Sequence, residues 1–179
     1  MMAELGAQIL DADQAAHRVL ADPEVTASLT SWWGPSVVDA DGQVDRDRVA
    51  NIVFESPAER RRLEALIHPR IFAAWAETLQ QCRDETTVAT AVVIDAPLLF
   101  EAGLDQLCDA IVYVDTPEDV RAERVRATRG WSIDEWHRRE RMQEPVDAKR
   151  AKADHTVENN ASVSDLRQRV KDVFSAIVS

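Results

Sequence analysis

Ala7-Gln8-Ile9-Leu10-Asp11-Ala12-Asp13 is a short apolar run that ends in two carboxylates two residues apart. Read as a strand over 7–11, its alternation places Asp11 and Asp13 on one side of the strand end, where the chain turns into a helix opening at Gln14. In an open parallel sheet that edge is where ligands bind, so the acid pair is a candidate for metal or hydroxyl chemistry. The 179 residues contain no Gly-rich phosphate loop ending in Lys-Ser/Thr, the element such a site normally works beside.

The strand pattern repeats further along. Residues 88–96 (Val-Ala-Thr-Ala-Val-Val-Ile-Asp-Ala) and 109–115 (Asp-Ala-Ile-Val-Tyr-Val-Asp) are dense apolar runs closing on Asp, the pattern of strands buried on both faces. Residues 154–158 make a fourth strand. Helical signals fill the gaps. Ser56-Pro57-Ala58-Glu59 reads as an N-cap, a proline at the first helical position and an acid at the third, with Leu63, Leu66 and Ile67 following on one face. Thr116-Pro117 opens another helix with the same chemistry, and Ser132-Ile133-Asp134-Glu135 is a capping box opening a third. Val163, Leu166, Val170, Val173, Phe174 and Ile177 fall at helical spacing, so 163–178 is a docking helix.

Strands separated by helices predict an α/β fold with a wound parallel sheet flanked by helices. The interval from 12 to 87 is too long for one crossover and should hold several helices, a cap subdomain over about 20–85. Asp39-Ala40-Asp41-Gly42 is a turn inside it. Trp32, Trp33, Trp75, Trp131 and Trp136 are expected in core and helix packing.

With 45% apolar residues the chain can build one core with a small satellite. No apolar run approaches the ~20 residues of a membrane span. The start, Met1-Met2-Ala3-Glu4-Leu5-Gly6, lacks the basic region of a secretory signal. Cys82 and Cys108 have no Cys-x-x-Cys or His spacing around them, which points to idle thiols in a reduced, cytoplasmic protein and away from a disulfide or zinc site. The net charge of -11 argues against general nucleic-acid affinity. Its distribution says more. Between Arg121 and Lys152 ten basic residues face six acidic ones, a local +4 that leaves -15 on the rest. Such an island suits a compact polyanion such as a nucleotide phosphate, or else is a solvated mixed-sign helical face.

Four stretches now stand in series. They are Ile9-Leu10-Asp11-Ala12-Asp13; Leu66-Ile67-His68-Pro69, read as a helix end; and Asp95-Ala96-Pro97-Leu98-Leu99-Phe100-Glu101-Ala102-Gly103-Leu104 after a strand. The fourth runs from Arg124 and Arg129-Gly130-Trp131-Ser132 through Arg139, Gln143, Pro145 and Lys149 to Ala153-Asp154-His155-Thr156-Val157-Glu158-Asn159. In this order and spacing they resemble the dephospho-CoA kinase family over essentially the whole chain from Leu5 onward. These are P-loop nucleotide kinases that phosphorylate the ribose 3′-hydroxyl of dephospho-CoA with ATP, the last step of coenzyme A biosynthesis.

The resemblance implies one kinase-like domain over 1–179, with a helical lid over about 117–150. ATP is the co-substrate, Mg2+ the cofactor and dephospho-CoA the partner, with no nucleic acid or membrane involved; the oligomeric state stays open. Asp13 matches the residue that orients and accepts the proton of the attacked hydroxyl. The alternative on the residues alone is a helix N-cap, which would leave its strand-end partner Asp11 without a reason. Asp11 would support the substrate or a magnesium-bound water, and no cluster of protein metal ligands is assigned. Pro97, Leu98, Leu99, Phe100 and Glu101 would form part of the dephospho-CoA pocket, with Glu101 making a polar contact. His68 would touch substrate or cap the last helical carbonyls. In the lid, Arg124, Arg129, Arg139 and Lys149 would face ATP. Arg129 and Arg139 are the guanidinium donors suited to phosphate oxygens. Asn159 falls where the nucleotide-base loop begins, although Asn160-Ala161 replaces the Ser-Gly often found there.

The family opens with a strand, a Gly-rich loop closing in Gly-Lys-Ser/Thr and a helix leading into Ala-Glu-Leu-Gly; Met1–Gly6 looks like the last turns of that helix. The strand would lie centrally, between the pair 7–11 and 88–96 and the strand 109–115. Unpaired backbone groups left by its loss cost ~1–3 kcal/mol each, against a total domain stability of ~5–15 kcal/mol. The expectation is therefore an N-terminally truncated kinase, poorly stable or inactive by itself, whose upstream coding sequence carries Gly-x-Gly-Lys-Ser/Thr in frame. Two other readings stay open: another P-loop nucleoside or nucleotide kinase, and a non-catalytic remnant that holds a CoA-like ligand.

Overall fold

Asp11 is both the last residue of strand β1 (Ala7–Asp11) and the N-cap of helix α1 (Ala12–Leu20). Its carboxylate accepts the Gln14 backbone N–H at 2.8 Å, which satisfies one of the orphan donors of the first turn. The helix thus opens at Ala12, two residues before the expected Gln14. The structure, a computed structural model, describes residues 1–83 and 89–179. The chain is α/β and divides into two compact units, one of Ile9–Ala96 and one of Met1–Gln8 with Pro97–Ser179.

In the first unit, α1 is followed by α2 (Pro23–Trp33), a 3-10 turn (Pro35–Val37), α3 (Arg46–Glu55), α4 (Pro57–Arg83) and strand β2 (Ala91–Asp95). The long interval therefore holds several helices, as its length required. Each start is written in the sequence. Asp22, Asp45 and Ser56 accept backbone N–H groups from Glu24, Arg48 and Glu59, and Pro23 and Pro57 stand at first helical positions. Asp39 accepts the N–H groups of Asp41 and Gln43, closing the expected turn between the bridged Val38 and Val44. Val25, Leu29, Val37, Val49, Leu63 and Ile67 form the buried cluster, with Trp32 and Trp33 packed against it. Trp33 also donates its indole N–H to Glu59 at 2.7 Å, tying the end of α2 to the first turn of α4.

Helix α4 corrects one expectation. It does not end at His68-Pro69 but runs through Pro69 to Arg83. Leu63, Ile67, Ile71 and Trp75 are all buried at four-residue spacing, a continuous apolar stripe that spans the proline. Packing on that stripe outweighs the lost backbone bond.

The second unit begins with a 3-10 turn (Met2–Leu5) closed by Gly6 at φ 92°, a single turn where the last turns of a helix were read. After the Pro97–Gly103 turns and a 3-10 segment (Leu104–Leu107) come β3 (Val112–Asp115), α5 (Glu118–Arg129), α6 (Ile133–Glu140), α7 (Val146–Lys152), β4 (His155–Glu158) and α8 (Val163–Val178). Helix α8 has its full capping box, Ser162 with Asp165, and buries Val170 and Phe174. Ser132 caps α6 by accepting the Glu135 N–H, but the Glu135 side chain turns to Arg138 and Arg139 instead of completing the box. Thr116 does not cap α5. Pro117 takes the N-cap position, and the buried Thr116 offers its carbonyl to Arg121.

The sheet is divided. Strand β1 pairs with β2, and β3 runs parallel to β4 in the register Val112 with His155 through Asp115 with Glu158. Among the described residues no ladder joins the two pairs. The strands are shorter than expected: 91–95 within 88–96, of which Val88 lies outside the described residues, 112–115 within 109–115, and 155–158 within 154–158. Nor are they buried on both faces. Val114 is 54% exposed and the apolar residues of β2 are half-buried.

Candidate active site

The two acids of the opening motif take different positions. Asp11 spends one carboxylate oxygen on the Gln14 N–H, so the cap role falls to it and not to Asp13. Asp13 is exposed in the first turn of α1, and its carboxylate makes no hydrogen bond or ion pair among the described residues. Sequence alternation had put both acids on one strand face. The early helix start instead turns Asp13 onto the helix, still at the carboxyl end of β1, where α/β proteins bind ligands. His68, in the same unit, is half-buried inside α4 with its ring centroid 5.9 Å from that of Phe72. It caps no carbonyls, since the helix continues for fifteen residues beyond it to Arg83.

In the other unit the expected substrate loop and the expected lid meet. Residues 97–104 fold into consecutive turns held by Ala102 N–H to Leu98, Gly103 N–H to Phe100 and Leu104 N–H to Leu99, with Gly103 in the left-handed region at φ 68°. Leu104 is buried and anchors the turn, while Leu98 is 46% exposed and Pro97 is exposed. Lys149 donates to the Pro97 carbonyl and to Gln143 Oε1, each at 3.0 Å, and pairs with Glu101 Oε1 at 3.0 Å. Glu101 Oε1 also accepts the Glu144 N–H at 2.7 Å. Burial alone pushes the Glu101 carboxyl up. The Glu144 and Glu101 amides and the Lys149 ammonium overcome that and hold it below the ordinary carboxylate value. Lys152 lies 4.9 Å from the Phe100 ring centroid and donates to both carboxylate oxygens of Glu144 at 2.8 Å.

Two arginines of the expected lid gather around an aromatic ring. Arg139 lies 4.2 Å and Arg129 5.9 Å from the centroid of Trp131. Trp75 and Trp136 are buried as expected, but Trp131 serves as a platform for cations and not as core. Arg139 donates Nε to Glu135 Oε1 at 2.7 Å, and Arg138 pairs with the other oxygen of the same carboxylate. These arginines, Arg139 foremost, hold the Glu135 carboxyl below its ordinary value. Glu135 was not among the candidates, although Glu followed by Arg at i,i+4 was legible as a helical pair.

The carboxyl ends of β3 and β4 complete this unit's polar edge. Asn159 is fixed by its N–H to the Asp115 carbonyl at 2.7 Å, and Arg124 reaches its Oδ1 and carbonyl at 3.3 and 3.4 Å. Arg150 pairs with Asp115 at 2.6 Å and Arg169 with Glu158 at 3.0 Å, two contacts between separate elements that no local sequence pattern announces. So the structure joins Arg124 with Asn159, Arg129 with Arg139, and Lys149 with Pro97 and Glu101.

The family model for dephospho-CoA kinase matches residues 1–165. The chain belongs to the dephospho-CoA kinase family. The dephospho-CoA kinase of Symbiobacterium thermophilum is 35% identical over 177 residues, covering 98% of this chain and 73% of that one. That of Synechococcus sp. strain CC9605 is 41% identical over 160 residues, covering 88% and 75%. Among solved structures, TT1252 from Thermus thermophilus superposes with a TM-score of 0.82 at 32% identity, and dephospho-CoA kinase from Campylobacter jejuni with 0.67 at 25%. Each superposition covers 98% of this chain and 87% of the other.

Proposed function

We propose that this dephospho-CoA kinase family protein transfers the γ-phosphoryl of ATP to the ribose 3′-hydroxyl of dephospho-CoA, with Asp13 as the group that orients the hydroxyl and takes its proton. The observation that carries the role of Asp13 is its exposed carboxylate, unpaired among the described residues, on the first turn of α1 at the end of β1. A general base must reach its proton with a carboxylate oxygen that is not already engaged; Asp13 offers both of its oxygens, whereas Asp11 has one committed to the Gln14 N–H. Asp11 keeps Asp13 in place by fixing the helix start.

Mg2+ is typically held by one or two carboxylates, water and substrate phosphates. The Asp11 and Asp13 oxygens suit an outer contact of that kind. When bound, the ion would offset charge on the moving phosphoryl group. The Gly-rich phosphate loop is not among the 179 residues, so the roles assigned here belong to the acceptor side and the lid.

In the lid, the planar guanidinium groups of Arg129 and Arg139, already oriented on Trp131, fit phosphate oxygens. Arg124 and Asn159 sit together at the strand edge, suited to the nucleotide. Pro97, Leu98, Leu99 and Phe100 offer an apolar wall to dephospho-CoA, and Glu101 shapes that wall from behind instead of meeting the ligand. His68, half-buried against Phe72, is the weakest of the assigned contacts. The free thiols Cys82 and Cys108 accord with a reduced, cytoplasmic setting.

The test is calorimetric titration with dephospho-CoA beside AMP, CMP and UMP, followed by a coupled ADP-release assay with Mg-ATP. Dephospho-CoA should bind most tightly and be the preferred acceptor. Equal affinity for the nucleoside monophosphates would overturn the assignment.

A further inference from the structure

Lys149 has three ammonium protons and three acceptors, the Pro97 carbonyl, Gln143 Oε1 and Glu101 Oε1, all at 3.0 Å. Its side chain is only 13% exposed and that of Glu101 22%. A cation so placed has no donor left for a phosphate, and a carboxylate already taking the Glu144 N–H and Lys149 is poorly placed to meet a substrate. Both residues face inward, towards each other. What they join is the 97–104 turn and the 143–149 segment that leads into α7. Outside this link, Lys152 adds a second contact, with its Nζ near the Phe100 ring and bonded to Glu144.

Resting on the reading that 97–101 lines the dephospho-CoA pocket, we propose that Glu101 and Lys149 are positioning residues. They latch the 97–104 turn to the α6–α7 connection, so that these segments order as one body when dephospho-CoA binds. Charge-assisted hydrogen bonds are among the stronger polar contacts, and this link concentrates several on one ammonium and one carboxylate oxygen. An apolar wall on exposed turns gains rigidity from behind, and binding that orders the turn extends to the base of the lid.

Hydrogen–deuterium exchange on the full chain tests this. In Lys149→Met the amides of 98–104 and 141–146 should both exchange about tenfold faster or more, together, while α8 around Val170–Phe174 keeps its native rate. Glu101→Gln retains an oxygen for the Glu144 N–H and should show the same pattern, weaker. With dephospho-CoA added, protection in the native chain should cover both segments, and in Lys149→Met only 98–104. One segment accelerating without the other, or neither changing, would overturn the latch. Should Lys149→Met accelerate α8 as well, the variant has lost its fold and Glu101→Gln decides by the same criterion. If dephospho-CoA protects no segment of the native chain, the functional reading fails, while the comparison without ligand still judges the latch.

Discussion

Arg139 lies over the indole of Trp131, 4.2 Å from the ring centroid, while its Nε is held by Glu135 at 2.7 Å. The guanidinium is thus oriented before any nucleotide arrives, with its face on the ring and one edge occupied. A cation–π contact at an exposed site contributes ~0.5–1 kcal/mol. Trp131→Ala should therefore weaken ATP binding roughly two- to fivefold, read by titration with ATP, with little change in melting temperature. An unchanged ATP affinity would show that Trp131 does not prepare Arg139 for phosphate.

Asp13 carries the catalytic prediction. Positioned general bases contribute roughly 10²–10⁴-fold, so in the chain extended upstream by the family's Gly-rich phosphate loop Asp13→Asn should lower kcat for coenzyme A formation by that order while leaving dephospho-CoA affinity nearly unchanged. Asp11→Asn retains an oxygen able to accept the Gln14 N–H, and should lose much less. The rates are measured by coupled ADP release. A larger loss in Asp11→Asn than in Asp13→Asn would transfer the base role to Asp11.

Where periodicity and caps coincide, the sequence was enough. Strand β1 and helix α8 have the bounds expected from alternation over 7–11 and from apolar spacing over 163–178. The Asp39 turn followed from local side-chain chemistry. Local rules failed where tertiary packing competes with them. The proline at 69 reads as a stop, yet the stripe Leu63, Ile67, Ile71, Trp75 continues on both sides of it and was the signal for an unbroken helix. Thr116 reads as a cap, but it is buried and the helix begins one residue later, with Pro117 at the N-cap. In the candidate site, the motifs located Glu101 and Lys149 without their relation. A contact between Lys149 and the Pro97 carbonyl, 52 residues apart, has no local pattern to announce it. In this structure the two side chains pair with each other, a relation that the separate motifs did not announce.

The Glu101 carboxyl, held below its ordinary value of 4.5, gives stability a defined acid dependence. The folded state favours the ionised form. Its contribution is therefore complete above the ordinary value and is lost as pH falls through the lower folded value. Glu101→Gln removes that titration. Its loss of stability between about pH 6 and about pH 3, followed as the urea midpoint, should be shallower than in the native chain. Parallel pH profiles in the two proteins would show that Glu101 titrates alike folded and unfolded.

Pro69 offers a gain. Within α4 it has no N–H for the Ala65 carbonyl, and its ring crowds that same group. Arg70 bends its guanidinium back to the next carbonyl, Leu66, at 2.9 Å, in the turn that the proline disturbs. Interior proline costs ~3 kcal/mol relative to alanine in an ordinary helix. The apolar stripe on both sides is already buried, so restoring the bond need not move it. Pro69→Ala should raise the unfolding free energy by about 1–3 kcal/mol, with a higher urea midpoint and an unchanged slope. Lower stability in Pro69→Ala would mean that Ile71 and Trp75 reach their buried positions only along the helix path that a proline at 69 sets.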